Sequence, residues 1–304
     1  MLFRSGGIYL NNQVDATIDS CNVNNNTASW GGGMTCTINC NPTIVNSSFN
    51  ENTTYNVGGG IYIRSSSSPV VLWSEFNDNV QIFNPLGSGG GVCIYGSGEG
   101  GGPCYPTFEH CLFEGNNVLG DGGGMSAAYD SHPKLTSCDF RNNVAGRSGG
   151  GLACVADQNH VYPSNADVLD ILIEMNHAHE EGGGIHVRNS DPILDSVDVY
   201  ENTAGNTGGG INFFESPDAT LLGSNICVNS PNQIEGSFTD GGNNSICDFG
   251  CPSDITGDGL VNVSDLLAII DQWGLTNSPA DINQDGIVDV SDLLMVVGNW
   301  GPCE

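Results

Sequence analysis

From residue 6 to about residue 245 the apolar positions come in short alternating runs, and nearly every run begins just after a glycine triplet. The triplets start at Gly31, Gly58, Gly89, Gly122, Gly149, Gly182 and Gly208, with a shorter Gly6-Gly7 ahead of them. Runs such as Ile61-Tyr62-Ile63 and Ile185-His186-Val187 have the period of two that marks a β-strand. A second strand follows in each repeat, often starting at a proline and ending on a large apolar residue with asparagine three places later. Phe49 with Asn52, Phe76 with Asn79, Phe113 with Asn116 and Phe140 with Asn143 show the pairing; Val23 with Asn26, Ile173 with Asn176, Val199 with Asn202 and Ile226 with Asn229 extend it. Successive asparagines lie 26, 27, 37, 27, 33, 26 and 27 residues apart. A flexible glycine-rich linker needs no such pattern. A period in the twenties with two or three short strands per unit is the signature of a solenoid, whose units bury their apolar faces only against neighbours.

Stacking would set the asparagines one above another at about the 4.8 Å spacing of paired strands, so that their amides form an internal ladder. The triplets would stack likewise, because glycine supplies turn dihedrals closed to other residues and lets every coil bend at the same corner. The expected fold is therefore all-β, a parallel β-helix of about eight coils. The combination of Gly-Gly-x-Ile and Phe-x-x-Asn over roughly residues 6 to 245 resembles the repeats of polymorphic outer-membrane-protein adhesins and, more broadly, the pectin-lyase-like β-helix superfamily. That resemblance implies a right-handed coil. It leaves function open, since the superfamily holds lyases, hydrolases, epimerases and non-enzymatic surface proteins.

The pattern changes near residue 247. Asp281-Ile-Asn283-Gln-Asp285-Gly286-Ile287-Val-Asp289-Val-Ser-Asp292 restates Asp254-Ile-Thr256-Gly-Asp258-Gly259-Leu260-Val-Asn262-Val-Ser-Asp265. Each stretch has oxygen side chains at loop positions 1, 3, 5, 9 and 12 and glycine at 6, the arrangement of an EF-hand-type calcium loop. Each runs into an apolar helix, Leu266 to Ile270 and Leu293 to Val297, that ends at Trp273-Gly274 or Trp300-Gly301. Two domains are thus expected, a β-helix over 1–246 and a small all-α calcium-binding domain over 247–304. Two Ca2+ ions are the expected cofactors, one held by Asp254, Thr256, Asp258, Leu260, Asn262 and Asp265, the other by Asp281, Asn283, Asp285, Ile287, Asp289 and Asp292. Aspartate at position 12 and the two-fold internal symmetry resemble a type I dockerin, and the flanking Cys251-Pro252 and Gly301-Pro302-Cys303 resemble the Gly-Cys-terminated variant of planctomycete-like bacteria. Thr256 departs from the usual Asn or Asp, which puts the strength of the first site in doubt. The resemblance implies attachment to a cohesin-like partner, with Val263, Ser264, Val290 and Ser291 as contact candidates.

Thirty-five acidic against six basic residues give a net charge of −29. Nucleic acid and anionic membranes are disfavoured as partners, because gripping phosphates needs clustered Lys and Arg. No apolar run is long enough for a transmembrane segment, and the chain opens in mid-repeat without a signal peptide, so an upstream part is expected. Twelve cysteines without metal-type pairs suggest an oxidising, extracellular or cell-surface location. Expected pairs are Cys251 with Cys303, Cys93 with Cys104 and Cys227 with Cys247; Cys111 and Cys138, in equivalent places of adjacent coils, are expected to be buried thiols.

Two longer repeats, around Gly96 to Pro106 and Asp157 to Asn165, mark bulges over a rigid scaffold, where Tyr95, Tyr105, His160 and Tyr162 could stack on sugar rings. No catalytic residue can be assigned. The one mixed cluster is Arg188 with Asp191, Asp195 and Asp198, near His177, His179, Glu180, Glu181 and His186; His-x-His spacing suits zinc and the glutamates suit general acids. The paired-Asp, Gly-His-Gly and Arg-Ile-Lys motifs of polygalacturonase-like hydrolases do not occur. The leading expectation is a secreted or surface β-helix, adhesin-like or carbohydrate-binding, anchored through its C-terminal domain. A polysaccharide lyase or hydrolase docked into an extracellular complex is the alternative, and a spacer is compatible with the repeats.

Overall fold

A computed structural model describes every residue except 1–5, 98–100, 157–161, 217, 248–252, 257–259, 277, 279, 284 and 303–304. The chain divides into two compact units, Met1–Cys247 and Asp248–Glu304. Cys251, Cys303, Asp258 and His160 lie outside the described residues, and with them the proposed Cys251–Cys303 pair.

In the first unit the strands after the glycine triplets stack into one nine-stranded parallel sheet, from Ile8–Asn11 through Met34–Thr37, Ile61–Arg64, Val92–Tyr95 and Ile185–Arg188 to Ile234–Gly236. We call it the glycine-side sheet. A fourteen-stranded sheet takes the segments between each proline and its Phe-x-x-Asn, and a seven-stranded sheet from Thr27–Trp30 to Thr203–Ala204 takes the residues just after the asparagines. The second strand of each repeat is, in most coils, two strands with a bend between them: Val70–Leu72 and Glu75–Asn77 flank Trp73, whose φ is 45°. Each coil thus has three sides, and in most coils the described corners include residues in the left-handed region.

Burial follows the alternation. Met34, Ile61, Val92, Met125, Leu152 and Ile185 point inward in one column, while Phe49, Phe76, Phe113 and Phe140 stack face to face at 5.4, 4.9 and 4.4 Å between centroids. The asparagine ladder runs unbroken from Asn26 to Asn229, each Nδ2 donating to the next Oδ1 at 2.9–3.1 Å. The second Nδ2 hydrogen goes to a carbonyl of the preceding coil, as from Asn79 to Phe49 at 2.7 Å, and each Oδ1 also accepts a backbone N–H, as from Asn79 to Asn116 at 3.0 Å. Every polar atom of a buried amide is thereby satisfied, which is what makes a dry asparagine tolerable. In the triplets, Gly58 has φ of 64° and a Cβ on Gly59 would strike the carbonyl of Gly90 in the next coil. Only glycine meets both demands.

Cys227 and Cys247 are joined as expected, tying the last described coil together. Cys111 and Cys138 are buried thiols, donating to the carbonyls of Val71 and Phe108. The expected Cys93–Cys104 bridge is not formed, and both thiols are free and buried. The alternation explains it: Val92 and Ile94 point into the core, so Cys93 points outward, whereas Cys104 packs inside that core.

In the second unit two nine-residue helices, Val263–Asp271 and Val290–Gly298, pack around Val261, Ile269, Ala280, Val288 and Val296. Asn262 and Asp289 cap their N-termini, and Asp265 and Asp292 reach back to complete capping boxes.

Candidate functional site

On the outer face of the glycine-side sheet the positions that alternate with the core form two columns. In the first three coils these are Tyr9, Thr35 and Tyr62 in one column and Asn11, Thr37 and Arg64 in the other, in register across parallel strands. They floor a cleft of about 760 Å³. Trp30, the residue before the first full triplet, forms one wall; the other is the turn Ile38-Asn39, Ser65-Ser66 and the backbone of Gly101-Gly102 from the first insertion. Trp30 is 39 % and Tyr9 44 % exposed, whereas Tyr62 is nearly buried beneath the Arg64 guanidinium, whose carbon lies 5.9 Å from the ring centroid. Internal hydrogen bonds fix the walls: Thr35 Oγ1 donates to the Trp30 carbonyl at 3.2 Å, Arg64 Nε to Ser65 Oγ at 3.1 Å, and the Ser66 amide to the Gly102 carbonyl at 3.1 Å.

Among the described residues the lining contains aromatic rings, hydroxyls, amides and one guanidinium, and no Asp, Glu or His. The rings offer apolar surface, and the threonine, asparagine and arginine side chains offer hydrogen-bonding groups, the chemistry by which a polar ligand with apolar faces could be held.

The insertion from Gly96 to Pro106 does shape this cleft, but through its glycine backbone. Tyr95 packs on Tyr129 at 4.7 Å and Tyr105 stacks on His132 at 5.1 Å, and neither lines it. Tyr162 is partly exposed on the second insertion. Tyr9, Trp30, Tyr62 and Arg64 were not singled out from the sequence. Their signal was present: Tyr9 and Tyr62 are aromatic outward positions just after a glycine run, where later coils carry Ser126, Ala153 and His186, and Trp30 stands just before one.

The structure divides the mixed cluster around Arg188 between elements. Arg188 and His186 lie on the glycine-side sheet, while Asp195 and Asp198 belong to the fourteen-stranded sheet and Asp191 to the turn between them. His186 is buried 3.9 Å from Glu181, and its pKa is pushed down to about 3 by burial and then by Arg188 and Arg147. Arg147 pairs with buried Asp121 at 3.4 Å and with Glu180 at 3.7 Å. Burial raises the Asp121 pKa, and the two arginines pull against it. His177 and His179 have ring centroids 5.0 Å apart, and His177 Nδ1 meets Thr203 Oγ1 at 2.8 Å.

Among the described residues, no three His, Cys, Asp or Glu side chains converge closely enough to hold a metal ion. What fits calcium in the second unit is the donor set and the loop closure. In the second loop Asp281, Asn283, Asp285, Asp289 and Asp292 offer only oxygen, Gly286 at position 6 has φ of 99°, and Asp292 folds back to accept the Ile282 and Asn283 amides at 2.8 and 3.1 Å. In the first, Asp265 accepts the Thr256 amide and hydroxyl, both at 2.9 Å. Burial opposes the charge on Asp265 and Asp292, but backbone N–H groups from their own loops outweigh it and hold both carboxyls below the ordinary range. Val263, Ser264, Val290 and Ser291 are all exposed at the helix starts. Beyond them each helix shows an apolar stripe to solvent, Val263, Leu267 and Ile270 on one and Val290, Leu294 and Val297 on the other. No helix among the described residues is long and apolar enough to cross a membrane.

No curated protein and no solved structure matches the chain. The family model of the right-handed β-helix region matches residues 3–168 and, overlapping it, 52–226. With parallel ladders, an internal asparagine column and glycine corners in every full coil, the chain belongs to the right-handed β-helix family.

Proposed function

We propose that this is a secreted or cell-surface protein whose β-helix binds extracellular carbohydrate without cleaving it, and whose C-terminal unit fastens it to a larger assembly. The observation that carries the reading is the cleft floored by Tyr9 and Tyr62 and walled by Trp30, with aromatic, hydroxyl and amide side chains and, among the described residues, no Asp, Glu or His in its lining. The net charge of −29 favours neutral over anionic glycans, since like charges repel. For the second unit, the paired oxygen-rich loops support two calcium ions, and the two-fold exposed helix stripes support a cohesin-like partner, as in a type I dockerin.

The test uses the full chain in calcium against a panel of polysaccharides. Binding without shortened or unsaturated products, weakened by Trp30→Ala, is expected. Products that appear with wild type and vanish with Arg188→Ala would instead support the alternative, a polysaccharide-cleaving enzyme built on buried Asp121 and His186 with the part-exposed Arg147 and Arg188 beside them. Titration with calcium is expected to load two ions, with Asp258→Ala and Asp285→Ala each removing one; no uptake would defeat the attachment half of the reading.

A further inference from the structure

Where each coil bends between the two strands of the fourteen-stranded sheet, one residue adopts the left-handed region. Ser20, Asn46, Trp73, His110, Ser137 and Asp170 occupy this place in successive coils, with φ from 45° to 54°. Small polar residues suit it, because their side chains bond to nearby backbone; for an ordinary L-residue the conformation costs roughly 1–2 kcal/mol. Trp73 is out of keeping. It is 55 % exposed, so folding recovers little from burying the indole. A bulky residue held in a strained conformation and left in solvent points to a role at the surface.

Its surroundings are those of a site. His110 of the next coil stacks on the indole at 5.6 Å and 14°, bracing one face. Toward the earlier coils opens a groove of about 480 Å³ with Asn22, Asn46, Ser48 and Glu75 in its lining. Ser48 Oγ donates to Asn22 Oδ1 at 2.8 Å, and Glu75 Oε1 accepts from Asn50 Nδ2 at 3.0 Å, so the polar groups are held coil to coil before any ligand arrives.

We propose that Trp73 and His110 form a second carbohydrate site, taking a sugar ring on the open indole face with Asn22, Asn46 and Glu75 at its hydroxyls. Glu75 and the overall negative charge select a neutral glycan. Because this groove opens on the fourteen-stranded sheet and the first cleft on the glycine-side sheet, one molecule joins two glycan strands; that joining rests on the reading of the first cleft, whereas the second site does not.

Calorimetric titration of the full chain with cellohexaose, xylohexaose, mannohexaose and laminarihexaose, each alone, separates the two. Expected is a probe taken up at two equivalents, one lost or weakened at least tenfold in Trp73→Asn and the other in Trp30→Ala. Asparagine already occupies the same place at Asn46, so Trp73→Asn is expected to keep the wild-type melting temperature. Beads coated with the matching polysaccharide would aggregate with wild type and with neither variant. Uptake unchanged in Trp73→Asn, or uptake of none of the probes, overturns the second site; loss in Trp73→Asn alone keeps it and overturns the first cleft.

Discussion

The outer face of the glycine-side sheet does two different things along one solenoid. In the first three coils its outward positions carry Tyr9, Thr35, Tyr62 and Arg64 and floor a cleft in which Tyr9 is exposed while Thr35 and Tyr62 lie buried at the bottom. Farther along, the column of Tyr9, Thr35 and Tyr62 carries Ser126, Ala153 and His186, with no exposed aromatic ring, and Arg147 and Asp121 pair close by. The backbone under both stretches is the same, strand for strand and register for register. Inward columns barely vary, because each side chain must fit its neighbours above and below; outward columns answer only to what lies over them. The difference teaches that function in such a fold is written in the residues the repeat does not fix.

The sharpest way to break the comparison is to damage what the two stretches share. Asn143→Leu would strip the acceptor from the Asn116 amide and side chain, the donor from the Phe113 carbonyl, and the side-chain donor from Asn176 Oδ1, which keeps only the backbone N–H of residue 143. At about 1–3 kcal/mol for each buried group left unpaired, thermal melting should show a loss well above 3 kcal/mol, if the variant folds at all. Phe113→Ala removes the middle of the ring stack and is expected to cost about 3–5 kcal/mol by denaturant unfolding.

Changes confined to one stretch should sort differently. Buried His186 remains neutral down to about pH 3, whereas in the unfolded chain it takes up a proton near its ordinary pKa of 6.5. The folded pKa is depressed, so its contribution to stability is complete above pH 6.5 and is lost as pH falls toward 3, by up to roughly 1.4 kcal/mol per pH unit. Melting temperatures of His186→Gln are expected to fall less steeply than wild type across that window, with glycan binding at neutral pH unchanged. A parallel slope would mean the imidazole is not buried as described. Trp30→Ala should do the reverse, weakening glycan binding about tenfold while shifting stability by under about 0.5 kcal/mol. Isothermal titration and a melting curve on the same sample decide it.

Most of the fold was legible in the sequence because a solenoid repeats its constraints. Each asparagine and each triplet is a separate statement of the same geometry, and eight asparagines in phase leave little room for another reading. The bend inside the second strand was not legible: Asn46, Trp73, His110 and Asp170 share a dihedral but no residue type, so no letter pattern announces it. The cleft was half legible. Gly96 to Pro106 stood out as an insertion, but its contribution comes from the main chain of Gly101 and Gly102, which carry no aromatic or charged flag. Tyr9 and Tyr62 looked like ordinary members of their strands, because a single strand does not tell which of its faces is covered. Arg188 and Asp198 misled for the same reason. Nearness in sequence ignores the corner that sends them to different sheets.

The asparagine ladder has one more consequence. Every side-chain link runs the same way, Nδ2 of one coil to Oδ1 of the next, until Asn229 passes its hydrogen to Gln233. The amide dipoles therefore add along the axis instead of cancelling, and each bond polarises its neighbours. The interior is a one-way conductor of hydrogen bonding, with an acceptor facing one end and a donor facing the other. Coils can be stacked onto it head to tail, but two such columns cannot meet head to head without leaving like poles in contact.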